Sequence, residues 1–158
     1  MRRRWAGLGL GALVIGAVPV VTLAPGAAAA TTITVTSTSG GTGGPDCTLI
    51  DAITAADTDA PAGGCSAGSG TDTIVLGTGA TYTLTAPIAY GFGPLGLPEI
   101  SDDVTILGNG ATIERSAAGG TPSFRIMATA ATVVLRNLTI RNGLADAGGT
   151  DLGGGLFL

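Results

Sequence analysis

Three segments of this chain combine apolar residues with threonine, and each is followed by a second short segment of the same kind. The first segments are Thr73–Leu76, Val104–Leu107 and Thr132–Leu135, and the second are Tyr82–Thr85, Ala111–Ile113 and Leu138–Ile140. The leucines that end the first segments are separated by 31 and then 28 residues. Strand pairs that recur about every 20 to 50 residues, with no helix between them, are typical of a solenoid. The pattern therefore predicts an all-β fold, a parallel β-helix in which each repeat forms one coil.

A strand and a helix are predicted ahead of the repeats. Strict alternation over Thr32–Thr36 indicates a strand with Ile33 and Val35 facing inward. Thr48 and Asp51 form a helix start: the Thr48 hydroxyl can accept from the backbone N–H three residues on, and the Asp51 carboxylate can reach back to Thr48. The apolar residues of one helical face follow at Leu49, Ile53 and Ala56. We expect this strand and helix to cover the N-terminal end of the coils, which would otherwise expose strand edges and an open core.

Two asparagines occupy equivalent positions in the repeats. When Leu107 is aligned with Leu135, Asn109 lies over Asn137, each two residues after the leucine. Stacked asparagine side chains can hydrogen-bond along the axis of a β-helix, and asparagine tolerates the left-handed backbone of tight turns. This predicts an asparagine ladder of Asn109 and Asn137. The alternative for Asn137 is that it begins an N-glycosylation acceptor with Leu138 and Thr139.

The first thirty residues have the features of a cleavable signal peptide. Arg2–Arg4 form a basic start, Ala6–Val21 is an apolar run without a charge, and small residues follow up to Ala30. This order predicts export of the protein and cleavage between Ala30 and Thr31. The alternative, a transmembrane helix, is disfavoured because Pro19 interrupts the run and no cluster of charges follows it.

Charge and composition exclude several classes of function. Removal of the predicted signal peptide takes away three of the seven basic residues and none of the eleven acidic ones, which leaves a net charge of −7. Such a surface repels nucleic acid and anionic membranes, so we expect no nucleic-acid partner and no membrane insertion of the mature protein. The chain contains no histidine, which removes the commonest general base and transition-metal ligand. Arg136 and Arg141, on the last full coil, are single charges with no evident partner.

Cys47 and Cys65 are the only cysteines. In an exported chain such a pair is expected to form a disulfide, the alternative being two buried free thiols. Closing this loop, with 18 residues from Cys to Cys, contributes about 3 kcal/mol in the chain-entropy treatment. A zinc site is disfavoured, since two thiolates without histidine leave the metal short of ligands.

A longer set of motifs surrounds the cysteines and continues through the repeats. The motifs are Cys47–Ile53, Asp57–Ala60, Gly63–Cys65, Ala67–Ile74, Ile100–Ile106, Asn137–Ile140 and Gly153–Phe157. They resemble the CSLREA domain, which begins many bacterial secreted right-handed β-helix proteins, some described as polymorphic outer-membrane-protein-like. Ile50 stands where that family usually has Arg, and Asp51 where it has Glu, so any ion pair made by that Arg is absent here. The resemblance implies a right-handed parallel β-helix with a short strand–helix cap stapled by the disulfide. It also implies export, and no fixed catalytic activity.

Carboxylates are the remaining candidates for catalysis. The acidic clusters of the repeat region are Asp102 with Asp103, and Asp146 with Asp151. Extracellular β-helix enzymes that cut polysaccharides use paired or Ca²⁺-binding carboxylates on one outer face. Adjacent residues at a strand point to opposite faces, so Asp102 and Asp103 are not expected to share a site. The sequence predicts no catalytic residue, no cofactor and no metal site.

The last six residues, 153–158, look like the start of another coil without an evident cap. We expect this open edge, with Leu156 and Leu158, to be covered by further chain, by a partner or by self-association with a second copy. The predicted organisation is a signal peptide at 1–30, a CSLREA-like cap at 31–72 and β-helix coils at 73–158.

Together these observations predict a secreted, extracellular or cell-surface β-helix scaffold or adhesion-type protein, with surface glycans or other proteins as partners and no catalytic site in this chain. The alternative is the N-terminal part of an extracellular polysaccharide lyase or glycoside hydrolase whose catalytic coils lie beyond residue 158. That alternative depends on analogy of fold, which by itself says little about function.

Overall fold

The computed structural model describes residues 29–88, 93–145 and 154–157. Within these ranges the chain forms one helix and seven strands. They are β1 Thr32–Thr34, α1 Leu49–Thr58, β2 Asp72–Val75, β3 Thr81–Leu84, β4 Val104–Arg115, β5 Met127–Ala128, β6 Val133–Arg141 and β7 Leu156–Phe157. The predictions for the signal peptide up to residue 28, and those for Asp146, Asp151 and Leu158, lie outside the described residues.

Five of the strands form one sheet in which every pairing is parallel. The long strand β4 lies in its middle. The first half of β4 pairs with β2 and its second half with β3, while β6 runs along both halves on the other side. β1 pairs with β2, and β5 pairs with β7 in a separate two-stranded parallel sheet. Among the described residues β6 therefore has a strand partner on one side only.

The apolar core lies against one face of this sheet. Ile33, Ile74 and Ile106 are partners in the register of β1, β2 and β4, and all three are fully buried. Leu135 of β6 continues the row beside Ile106 but is only partly buried. Helix α1 packs into the same core with three large apolar side chains, those of Leu49, Ile50 and Ile53.

The predicted right-handed parallel β-helix is wrong. The protein is a small mixed domain with a parallel sheet of five strands and one helix, and the described residues contain no β-helix solenoid. The sequence pattern predicts two separate strands in each repeat, divided by a coil corner. In β4 and β6 these two strands are instead joined into one, which passes through Asn109 and Asn137 without ending. The repeats therefore become neighbouring strands of one sheet.

The alignment of Leu107 with Leu135 is also wrong, by one residue. Ile106 pairs with Leu135, and Leu107 pairs with Arg136. Because side chains alternate between the two faces of a strand, this shift puts Ile106 in the core and Leu107 on the outer face.

The predicted N-terminal strand and helix are confirmed. α1 begins at Leu49, directly after Thr48, and ends at Thr58. β1 is two residues shorter than the predicted strand, but Ile33 and Val35 are both buried as expected.

The C-terminal segment that the structure describes is paired with β5. Leu156 lies beside Met127, and the Ile126 backbone N–H donates to the carbonyl of Gly154 at 3.2 Å. One side of this segment is therefore already hydrogen-bonded. Within the described ranges, none of the helical structure is long and apolar enough to cross a bilayer.

Candidate interaction surface

Cys47 and Cys65 form the predicted disulfide, with their Cα atoms 4.4 Å apart. Both residues are buried. The carbonyl of Cys47 accepts from the backbone N–H groups of Thr36 and Ser37 at 2.8 and 3.1 Å, just after β1. The disulfide therefore closes the helical region into a loop that is attached to the first strand.

Thr48 is the N-cap of α1. Its hydroxyl accepts from the Asp51 backbone N–H at 3.1 Å and donates to the Asp51 carboxylate at 2.9 Å. That carboxylate, which is buried, also accepts from the Gly43 backbone N–H at 3.1 and 3.2 Å. A Cβ on Gly63 would lie 2.3 Å from an oxygen of Asp51, so only glycine fits there. Asp51 thus joins the glycine-rich link before the helix to the turn after it.

Asn109 and Asn137 both have left-handed backbone, with φ of 51° and 48°. The Asn109 side chain donates to the carbonyl of Leu76 at 3.0 Å, just past the end of β2. No hydrogen bond between the two asparagine side chains occurs among the described residues. The register between β4 and β6 shifts at this point, with three residues of β4 opposite one of β6. The asparagines therefore mark an irregularity at which both strands bend.

The outer face of the second half of the sheet carries polar residues in register. Thr112 pairs with Thr139, and Glu114 pairs with Arg141. The Glu114 carboxylate accepts from the Thr83 hydroxyl at 3.2 Å and from the Arg141 guanidinium at 2.6 Å. On this face, Arg141 of β6 is therefore paired with a carboxylate from the neighbouring strand β4.

Arg136 lies on the same strand as Arg141 but in a different environment. It is exposed, and it has no hydrogen-bond or ion-pair partner among the described residues. Its register partner on β4 is the apolar Leu107. Val134, two residues earlier on the same face, is 38% exposed. This face of β6 thus presents one apolar and one cationic side chain, on a strand that the described residues pair on one side only.

A polar cavity of about 380 Å³ opens near the end of α1. It is lined by Asp59, Gly70, Thr71, Ser101, Asp102 and Asp103. Asp102 and Asp103, which are not expected to share a site, both line this cavity; they precede β4, so the alternation of a strand does not apply to them. In the part of the chain that the structure describes, no three acidic, cysteine or histidine side chains are grouped so as to hold a metal ion.

Asp57, on the last turn of α1, joins the helix to the wall of this cavity. Its carboxylate accepts from the backbone N–H groups of Ser101 and Asp102 at 3.0 and 3.1 Å. Burial raises the pKa of Asp57, and the charge of Asp102 adds to that effect, while the two backbone hydrogen bonds act in the opposite direction. The ionised carboxylate is therefore less favoured in the folded than in the unfolded protein.

We expect Asp57→Asn to raise the stability of the protein at neutral pH. The amide oxygen can still accept both hydrogen bonds, while the charge disfavoured by burial is removed. The gain should be below about 1 kcal/mol because solvent screens a half-exposed group. Because the pKa of Asp57 is raised in the folded protein, the stability of the wild type recovers as the pH falls through that pKa. The wild type and Asp57→Asn should therefore be equally stable at about pH 3.

Thermal unfolding at both pH values measures this difference, with Asp59→Asn as the control, since Asp59 is an exposed carboxylate of the same cavity. A loss of stability in Asp57→Asn at neutral pH would show that the hydrogen bonds of the charged group outweigh its burial.

The sequence did not reveal three carboxylates that the structure places in specific contacts, those of Asp57, Asp72 and Glu114. Their partners are 44, 41 and 27 residues away in the chain. For Glu114 a signal exists, because the repeat spacing of 28 residues places it within one residue of Arg141. The other two contacts join segments outside the repeats, for which no sequence pattern gives a register.

No protein-family model, no curated protein and no solved structure matches this chain. The resemblance to the CSLREA domain stays a prediction from its motifs. By fold and site, the chain is a small mixed domain with a disulfide-stapled helix and a parallel sheet of five strands.

Proposed function

We propose that this protein is an exported, non-catalytic scaffold that binds an extended segment of a partner protein along the outer edge of β6. The observation that carries the proposal is Arg136, an exposed cation that has no partner among the described residues and lies on β6, which these residues pair on one side only. The disulfide supports export, because such bonds persist in oxidising compartments outside the cytosol.

The register of the sheet indicates from which side a counterion can reach Arg136. Arg141 is satisfied by Glu114, its partner on β4. The corresponding partner of Arg136 is Leu107, which carries no charge. A cross-strand carboxylate for Arg136 must therefore come from the open side of β6. Opposite charges facing each other across two strands contribute about 0.2–1 kcal/mol.

The same edge offers the other groups that strand addition needs. Unpaired N–H and C=O groups of an edge strand can hydrogen-bond to an added strand, as in other proteins that bind extended peptides. Leu135 is only partly buried, whereas its partner Ile106 is fully buried, so an apolar residue of the added strand would cover it. We therefore expect a bound segment with an apolar residue beside Leu135 and an acidic residue beside Arg136.

A second copy of β6 fits this edge poorly. Two β6 strands paired antiparallel would bring four arginines onto one short ribbon, and like charges on facing strands are destabilising. The partner assigned here is therefore an acidic extended segment of another protein.

A peptide with the β4 sequence, Val104–Arg115, provides the test, because this sequence forms a parallel strand beside β6 on the side that is already paired. Two fluorescently labelled peptides are compared, one with Leu107→Glu and one with Leu107→Lys. The protein should bind the Leu107→Glu peptide about fivefold more tightly at low salt, because this glutamate would lie beside Arg136. Fluorescence anisotropy measures both affinities.

The protein variant Arg136→Glu should reverse the preference, and Arg136→Gln should remove it. Equal binding of the two peptides to the wild type, or a preference that Arg136→Glu leaves unchanged, would refute the assigned surface. Light scattering completes the test, since oligomers that dissociate in Arg136→Glu would show that a second copy occupies the edge instead.

A further inference from the structure

Asp72 is a buried carboxylate that, within the described ranges, accepts hydrogen bonds from backbone N–H groups only. It is 1% exposed. Its Oδ1 accepts from the backbone N–H groups of Thr31 and Ser69 at 3.0 and 2.9 Å, and its Oδ2 accepts from Ser69 at 3.1 Å. No arginine of the described residues forms an ion pair with it. A buried charge without a counterion is destabilising, so a cation placed here would be strongly favoured.

One of these donors, the nitrogen of Thr31, belongs to the predicted cleavage bond. Ala30 is exposed, while Thr31 is partly buried. The carbonyl of Thr31 accepts from the Thr73 backbone N–H at 2.8 Å, which attaches the residue to β2. The sheet therefore holds the nitrogen of Thr31 against Asp72 through the carbonyl of Thr31 itself, a group that remains after cleavage before Thr31.

We propose that cleavage between Ala30 and Thr31 creates an ion pair between the new α-ammonium group and Asp72, and that this pair locks the processed N-terminus to the sheet. Hydrolysis adds one water across the C–N bond. Ala30 leaves as a carboxylate, and the nitrogen of Thr31 becomes an ammonium group, the form that an α-amine has at neutral pH. The inference rests on the export proposed above.

The effect of cleavage follows from the change of charge at one atom. Before cleavage, a neutral amide N–H donates to the carboxylate, and afterwards a cation does. Hydrogen bonds between oppositely charged groups are shorter and roughly twice as strong as neutral ones. Cleavage would thus supply a counterion that Asp72 does not have among the described residues, and processing would itself stabilise the exported fold.

The composition of the chain allows the nitrogen of Thr31 to be modified selectively after cleavage. The protein contains no lysine, so a chain that begins at Thr31 has a single primary amine. Acetylation of the denatured protein, with its disulfide intact, followed by hydroxylamine to remove acetyl esters from tyrosine, leaves that amine as the modified group. The acetyl group restores a neutral amide N–H like that of the precursor and leaves the sequence unchanged, which makes it a matched control.

The experiment compares free and acetylated protein beginning at Thr31, each as wild type and as Asp72→Asn, by urea unfolding. We expect acetylation to lower the folding equilibrium constant about tenfold in the wild type, as for a charge-assisted hydrogen bond. In Asp72→Asn the change should be below about twofold, because the amide offers no charge. An equal change in both backgrounds, or none in the wild type, would overturn the proposal.

A second measurement decides the question if Asp72→Asn fails to fold. The native amine of the chain beginning at Thr31 should be acylated about tenfold more slowly than that of a chain beginning at the exposed Ala29, which lies beyond the contact. Equal rates would overturn the lock. N-terminal sequencing of exported protein must also give Thr31 as the first residue. Another first residue would overturn the proposed ion pair with Asp72, independently of the peptide-binding result for β6.

Discussion

Ile106→Ala is expected to lower the free energy of unfolding by about 2–5 kcal/mol, the range for truncating a large buried aliphatic side chain. Ile106 is fully buried within β4. It lies in register between Ile74 and Leu135, on strands hydrogen-bonded to either side of β4. These strands limit how far the core can relax into the space that the truncated side chain leaves. The loss of unfolding free energy should therefore be well above that of a substitution on the protein surface. Urea unfolding followed by circular dichroism measures it.

Two neighbours of Ile106 serve as matched controls. Thr105 and Leu107 flank it on the outer face and are only partly buried. Thr105→Ala should cost about 1 kcal/mol or less, as expected from strand propensity alone, and Leu107→Ala should cost less than Ile106→Ala. A larger loss for Leu107→Ala than for Ile106→Ala would contradict the register of β4 and β6.

The double change Cys47→Ala with Cys65→Ala is expected to lower the free energy of unfolding by about 3 kcal/mol, because the unfolded chain regains the freedom of an open loop. The separation of 18 residues sets that figure. Alanine is chosen because both sulfurs are buried, and a serine hydroxyl would add an unsatisfied polar group. The loss should appear in chemical unfolding at neutral pH.

Reduction of the wild type provides the matched control for the disulfide. A thiol reductant should lower wild-type stability by a similar amount and leave the double variant unchanged. Two titratable thiols in exported, denatured and unreduced protein would contradict a disulfide in the mature form. A double variant as stable as the wild type would mean that the contacts of Asp51 and Thr36 alone hold the helix in place.

The elements that depend on near neighbours in the chain could be predicted from the sequence. Strict alternation predicted β1, and short segments of apolar residues with threonine predicted β2, β3 and the two halves of β4 and β6, because strand patterns of this kind are local properties of the sequence. The helix start at Thr48 and Asp51 is local in the same way. The disulfide followed from the presence of only two cysteines in a chain that is predicted to carry an export signal.

Register and fold class could not be predicted in this way. A slip of one residue exchanges the two faces of a strand. The sequence allows Leu135 to be aligned with Leu107 or with Ile106, and both alignments place two apolar residues side by side. Whether the two strands of a repeat join or separate depends on the backbone at Asn109 and Asn137, where both residues adopt a left-handed conformation within a continuous strand. That choice turned the predicted coils into one parallel sheet.

The sequence by itself determined the strands, the capped helix, the cysteine pair and the acidic balance of the chain. Only the tertiary structure decided that, among the described residues, Arg136 lacks the carboxylate that Arg141 has, and that the nitrogen of Thr31 meets Asp72. The physical reason is that periodicity and capping act over a few residues along the chain. Charge pairing and burial depend instead on which distant segments the sheet register brings within hydrogen-bond distance.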